Sequence, residues 1–84
     1  MKPNTKLRDA FFEVIDNQIK ANDPPETAEA LKRLNEQGYS EFESKQLIGQ
    51  CIALETFLII QEGKESDPER LKRNLRNLPE EPEE

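Results

Sequence analysis

Apolar residues along this chain recur at helical rather than alternating spacing. With successive residues set 100° apart, Leu7, Phe11, Val14, Ile15 and Ile19 fall on one face, which predicts a first helix from about Asn4 or Thr5 to Ala21. Asp23, Pro24, Pro25 and Glu26 then read as an N-cap, two prolines in a first turn and an acid reaching back to the cap. They open a short second helix that ends near Gln37, where Gly38 suits the left-handed position beyond the last turn. Ser40 and Glu43 form a Ser-x-x-Glu capping box for a third helix, Glu41 to about Glu62, closed by Gly63. Ser66, Asp67, Pro68 and Glu69 repeat the start signal, and Leu71, Leu75 and Leu78 mark a narrow stripe on a fourth helix that Pro79 ends.

No segment alternates with period two, and no Asn-Gly or Asp-Gly turn is present, so strands have no support. The six prolines, Pro3, Pro24, Pro25, Pro68, Pro79 and Pro82, all fall at these boundaries, where they do not interrupt a helix. The expected class is all-α: one domain over residues 4–78, a compact bundle of four helices with the third as its central rod. Residues 79–84 carry four glutamates and no apolar side chain, and are expected to form a disordered acidic tail.

Two polar residues interrupt the apolar faces. Gln18 lies in the middle of the first helix's face. Glu55 lies near the centre of a broad face of the third, formed by Leu47, Ile48, Cys51, Ile52, Leu58 and Ile59. Burying a carboxylate unpaired costs several kcal/mol or forces its pKa upward. Two readings follow. Gln18 and Glu55 meet as a polar site able to do acid-base work in a small ligand-binding protein or enzyme. Alternatively, Glu55 snorkels to water, or accepts a hydrogen bond from a helix end or from Gln18, and fixes helix register.

The third helix has a second apolar side, made of Phe42, Gly49, Ala53 and Ile60. A helix apolar nearly all round is normally covered all round. Either the first and fourth helices wrap it within one chain, or a second copy pairs on this strip as a twofold homodimer.

Composition narrows the chemistry. The 84 residues are 36% charged and 33% hydrophobic, so a fold is expected with a thin core. There is no His and one Cys, Cys51, which removes the usual zinc ligand sets, Cys/His and Ser/His nucleophile pairs and any intramolecular disulfide. No cofactor or metal is expected. Cys51 shares the core face and reads as a small buried hydrophobe. A single thiol, a polar start without a secretory signal and no apolar run near 20 residues together give the expectation of a soluble, cytoplasmic protein.

The net charge of −6 disfavours nucleic acid and anionic membranes, although four of those six charges lie in residues 79–84. Arg70, Lys72, Arg73 and Arg76 make the fourth helix basic, but it contains no aromatic residue for base stacking and is followed at once by the acidic tail. A helix-turn-helix across Gly38 is disfavoured because its recognition helix would present Glu41 and Glu43 to phosphates.

Four runs carry a resemblance over somewhat more than half the chain: Phe12-Glu13-Val14-Ile15-Asp16-Asn17-Gln18, Asn22-Asp23-Pro24-Pro25-Glu26, Arg33-Leu34 through Gly38, and Phe42-Glu43-Ser44-Lys45-Gln46-Leu47-Ile48-Gly49. They resemble a group of small, uncharacterised helical proteins and domains of bacteria and archaea. That group has a His-x-x-hydrophobic-Glu-x-Gln element, a Pro-Pro-Glu-like linker and a His-Glu-Ala-x-His-x-Ile-Gly helix. The resemblance implies an all-helical fold and supplies no activity. Phe12, Phe42 and Gln46 stand where the group has His, and Asp16 where it has Glu. A metal site of such relatives would here be reduced to Asp16, Gln46 and Glu55, a poor set for zinc.

Overall fold

The computed structural model describes residues 5–84, excluding the side chain of Thr5. The expected boundary at Pro3 and domain start at Asn4 lie outside the described residues. Four helices follow in order: α1 Thr5–Ala21, α2 Pro25–Glu36, α3 Glu41–Ile60 and α4 Pro68–Asn77. Among the described residues there is no strand, and no helix is long and apolar enough to cross a membrane.

Local chemistry explains most of the boundaries. Asn22 takes the left-handed conformation, φ 54°, beyond α1, and the Asp23 N–H returns to the Gln18 carbonyl at 3.0 Å. Gly38, at φ 102°, ends α2 in the same manner, with the Tyr39 N–H on the Leu34 carbonyl at 3.1 Å. The α3 capping box forms in both directions, each bond 3.0 Å, and the hydrogen bonds from Ser40 lower the pKa of the Glu43 carboxyl. Asp67 caps α4 by accepting from the Glu69 and Arg70 N–H groups.

Two boundaries differ from expectation. Pro24, not Asp23, occupies the N-cap of α2, at φ −77° and ψ 152°, and no side chain caps that end. The following Pro25 drives Pro24 out of the helical region, so the helix starts one residue later. α3 stops at Ile60 rather than Glu62, ahead of Gly63 at φ 66°.

The core joins Ile15, Ala30, Leu34, Ile48, Cys51, Ile52, Leu75 and Leu78, with Phe11, Phe12, Ile19, Leu31, Tyr39, Leu47 and Leu71 packed around it. α3 touches the other three helices, but so does α2, so the centre is shared rather than held by one rod. Arg33 on α2 shows how α4 is attached. Its guanidinium donates to the carbonyls of Leu75 and Leu78, 2.9 and 3.0 Å away, satisfying acceptors that a helix C-terminus leaves open.

The acidic tail is not free of the fold. The buried Asn74 amide donates to the Glu83 carbonyl at 2.9 Å and accepts from the Glu83 N–H at 3.0 Å, and Lys64 reaches Glu84. The expectation of disorder followed from charge and lack of apolar side chains. It missed that backbone groups, which every residue has, supply the contact.

Candidate functional site

The two polar residues flagged on the apolar faces find different partners. Gln18, on the inner side of α1, accepts a hydrogen bond from the buried Thr27 hydroxyl of α2 at 2.8 Å. Glu55 and Arg70 are each 8% exposed, and Arg70 Nε and Nη2 donate to Glu55 Oε1 and Oε2 in a two-pronged pair. A Gln18–Glu55 polar site is therefore not what the fold assembles. Helix packing sends Gln18 toward α2 and Glu55 toward α4.

Hydrogen bonding to Glu55 raises the Arg70 pKa against the opposing effect of burial, helped by the charges of Glu55, Asp67 and Glu84. Both carboxylate oxygens of Glu55 are engaged by a permanently charged partner, which leaves a structural clamp between α3 and α4 rather than a group poised to move protons. Arg70 was legible in principle. A carboxylate at a core position calls for a cation, and Arg70 borders the Leu71 and Leu75 stripe of α4.

The other basic residues of α4 are also engaged. Arg76 pairs with Glu26, Lys72 lies 3.8 Å from Glu69, and Arg73 donates to the Glu83 carbonyl. Of the diminished metal set, Asp16 pairs with Lys45 at 2.7 Å and Glu55 with Arg70, while Gln46 lies on an open groove. Among the described residues no group of three or more His, Cys, Asp or Glu could hold a metal ion. Cys51 is buried in the core, and desolvation pushes its thiol up to about 11, so it stays protonated and inert near neutral pH.

The second side of α3 has a more open character. Phe42, half-exposed, packs edge-on to Phe12 with ring centroids 5.5 Å apart, and the Arg8 guanidinium lies 5.3 Å above it. Beyond that contact, Leu7, Phe11 and Phe12 of α1 and Gly49, Gln50 and Ala53 of α3 line a groove of about 440 Å³. One to two turns further along the same face of α3, Phe57 and Ile60 stand out, 52% and 68% exposed.

α1 thus covers part of the strip formed by Phe42, Gly49, Ala53 and Ile60, and leaves Ile60 bare. α4 does not reach α1, so the two do not close around α3 together. Phe57 belongs to this surface although the sequence reading did not select it. It lies four residues after Ala53, a spacing that puts it on the same face.

Charge sets this face apart. From Gln46 to Gln61 the one charged residue is Glu55, and it is buried against Arg70. The outward surface of this stretch is therefore neutral and largely apolar in a chain that is 36% charged. No family model matches the chain, and no curated protein or solved structure is similar to it, so the fold and this surface stand on the residues described above.

Proposed function

We propose that this chain is a small interaction or scaffold protein of a reducing compartment such as the cytosol, and that it acts by self-association through α3 and the adjoining part of α1. The observation that carries this reading is the neutral surface of α3 with Phe57 and Ile60 projecting from it. Exposed apolar patches with a polar rim mark interaction sites more often than empty surface. A second copy can approach on this side because the exposed residues of α3 from Gln46 to Gln61 carry no charge. Twofold pairs that reuse one patch are also the commonest assemblies.

At 1.5 Å per residue α3 is roughly 30 Å long, and with α1 beside it the face measures about 30 by 20 Å, or about 600 Å² in projection. Stable interfaces take about 800 Å² from each partner, so this face alone supports a weak, concentration-dependent association.

Association that involves folded chains alone stabilises the fold by mass action. The melting temperature is therefore expected to rise by several degrees between low and high micromolar protein, and Ala53→Glu is expected to abolish that rise. A melting temperature independent of concentration would refute self-association in this range.

A further inference from the structure

We propose that Asn74, Arg73 and Lys64 form a docking site for an extended acidic peptide segment. Residues 81–84 of this chain occupy it as a strap, and an acidic segment of a partner protein takes it by displacing them. The site lies on α4 and the loop before it, and is independent of self-association through α3.

The strap is built by a reversal of the chain. Just beyond α4 the Glu80 N–H returns to the Asn77 carbonyl at 3.0 Å, and Pro82 holds the residue before it extended. The segment then runs back along α4, with Glu83 against Asn74 and Glu84 against Lys64. Asn74 is 1% exposed. A buried amide needs both its donor and its acceptor satisfied, and Asn74 finds both on one residue. Its Nδ2 donates to the Glu83 carbonyl at 2.9 Å, and its Oδ1 accepts from the Glu83 N–H at 3.0 Å. This is the pairing that one strand offers another, made here by a side chain, and it reads peptide backbone rather than a particular side chain. The Glu83 side chain is accordingly exposed.

Charge supplies the selection. Arg70, Lys72 and Arg76 of α4 pair with Glu55, Glu69 and Glu26 of the helices. Arg73 instead donates to the Glu83 carbonyl at 2.8 Å, and Lys64 meets the Glu84 carboxylate at 3.1 Å. Two cations thus flank the amide that reads the backbone, which favours a segment rich in carboxylates, as residues 80–84 are. Nucleic acid would meet the charges but offers no N–H and carbonyl pair to Asn74.

The strap is lightly held. Pro82 is half-buried while Glu81, Glu83 and Glu84 are exposed, so little apolar burial offsets the entropy of ordering the segment. A ligand tied to its site by so short a connection is retained through effective concentration rather than strong contacts. A partner's segment with the same chemistry can therefore exchange with it.

Nuclear magnetic resonance on the full chain tests this, with the side-chain amide signal of Asn74 as the probe. Glu83→Pro removes the N–H that the strap donates, and Glu84→Lys sets a lysine against Lys64; both leave the site and the helices unaltered. Each variant should shift the Asn74 signal with helicity unchanged. A synthetic peptide of residues 79–84 with blocked ends should then shift it back toward the wild-type position, saturating in the millimolar range. The wild-type chain should need at least about tenfold more peptide, because a strap closed about nine-tenths of the time leaves about one site in ten free. The same peptide with lysine for every glutamate should not bind. An unmoved Asn74 signal in both variants, no response to the acidic peptide at tens of millimolar, or equal response from wild type and variants would overturn the proposal. Saturation by the lysine peptide or by a thymidine hexanucleotide would overturn it too.

Discussion

Glu55→Ala or Arg70→Met is expected to lower the melting temperature by at least about 10 °C, the largest loss of stability from any single change outside the apolar core. Both side chains are nearly buried, and each satisfies the other with two parallel hydrogen bonds. Removing either partner leaves the other charged, nearly enclosed and without its counter-charge. The clamp also holds a loop, because Arg70 Nη2 reaches the Glu65 carbonyl at 3.4 Å, so its loss should loosen the connection between the two helices. Replacing both partners together, as Glu55→Leu with Arg70→Met, should recover most of the loss, since buried pairs are often matched by apolar side chains of similar volume. Thermal unfolding followed by circular dichroism measures all four forms. A drop of a few degrees for either single variant would mean that the pair is solvated like a surface contact.

Ile60→Glu should leave the fold intact and weaken association on the order of 1,000-fold. Ile60 is 68% exposed, so a glutamate there is solvated in the single chain and perturbs little. In the pair it would be set against the apolar face of the partner's α3, at a cost of several kcal/mol. A twofold axis makes every substitution count twice, and each 1.4 kcal/mol is a factor of ten. Unchanged helicity and melting behaviour at low concentration, with lost association at high concentration, separates this effect from misfolding. Association as tight as wild type would place Ile60 outside the interface.

How much of this was legible depended on how local the cause was. The capping box of Ser40 and Glu43, the Asp67 cap and the left-handed Gly38 each involve residues a few positions apart, and the structure forms all three. The Asp23 cap failed for a local reason as well, the restriction that Pro25 places on Pro24. Helix faces were read less well. On α1 Ile15 is fully buried while Leu7 and Val14, assigned to the same face, stay more than 40% exposed, because α2 and α3 cover only part of that face.

Partners across helices were illegible for a different reason. Periodicity placed Glu55 and Gln18 at core positions but carried no information on crossing geometry, which decides whether each meets Arg70, Thr27 or the other. The same holds for Arg33 on the end of α4 and for Asn74 on the Glu83 backbone. The second apolar side of α3 was visible as a pattern. That α1 would cover Phe42 and Gly49 in part, and that Phe57 would extend the open surface, required the fold.

The most direct test of the central claim is the mass of the unaltered chain by sedimentation equilibrium at about 100 µM protein and physiological salt. Self-association through the neutral surface of α3 and the adjoining part of α1 predicts a species of twice the 9.7 kDa chain mass that returns to a single chain on dilution. A single 9.7 kDa species across the whole concentration range would contradict it.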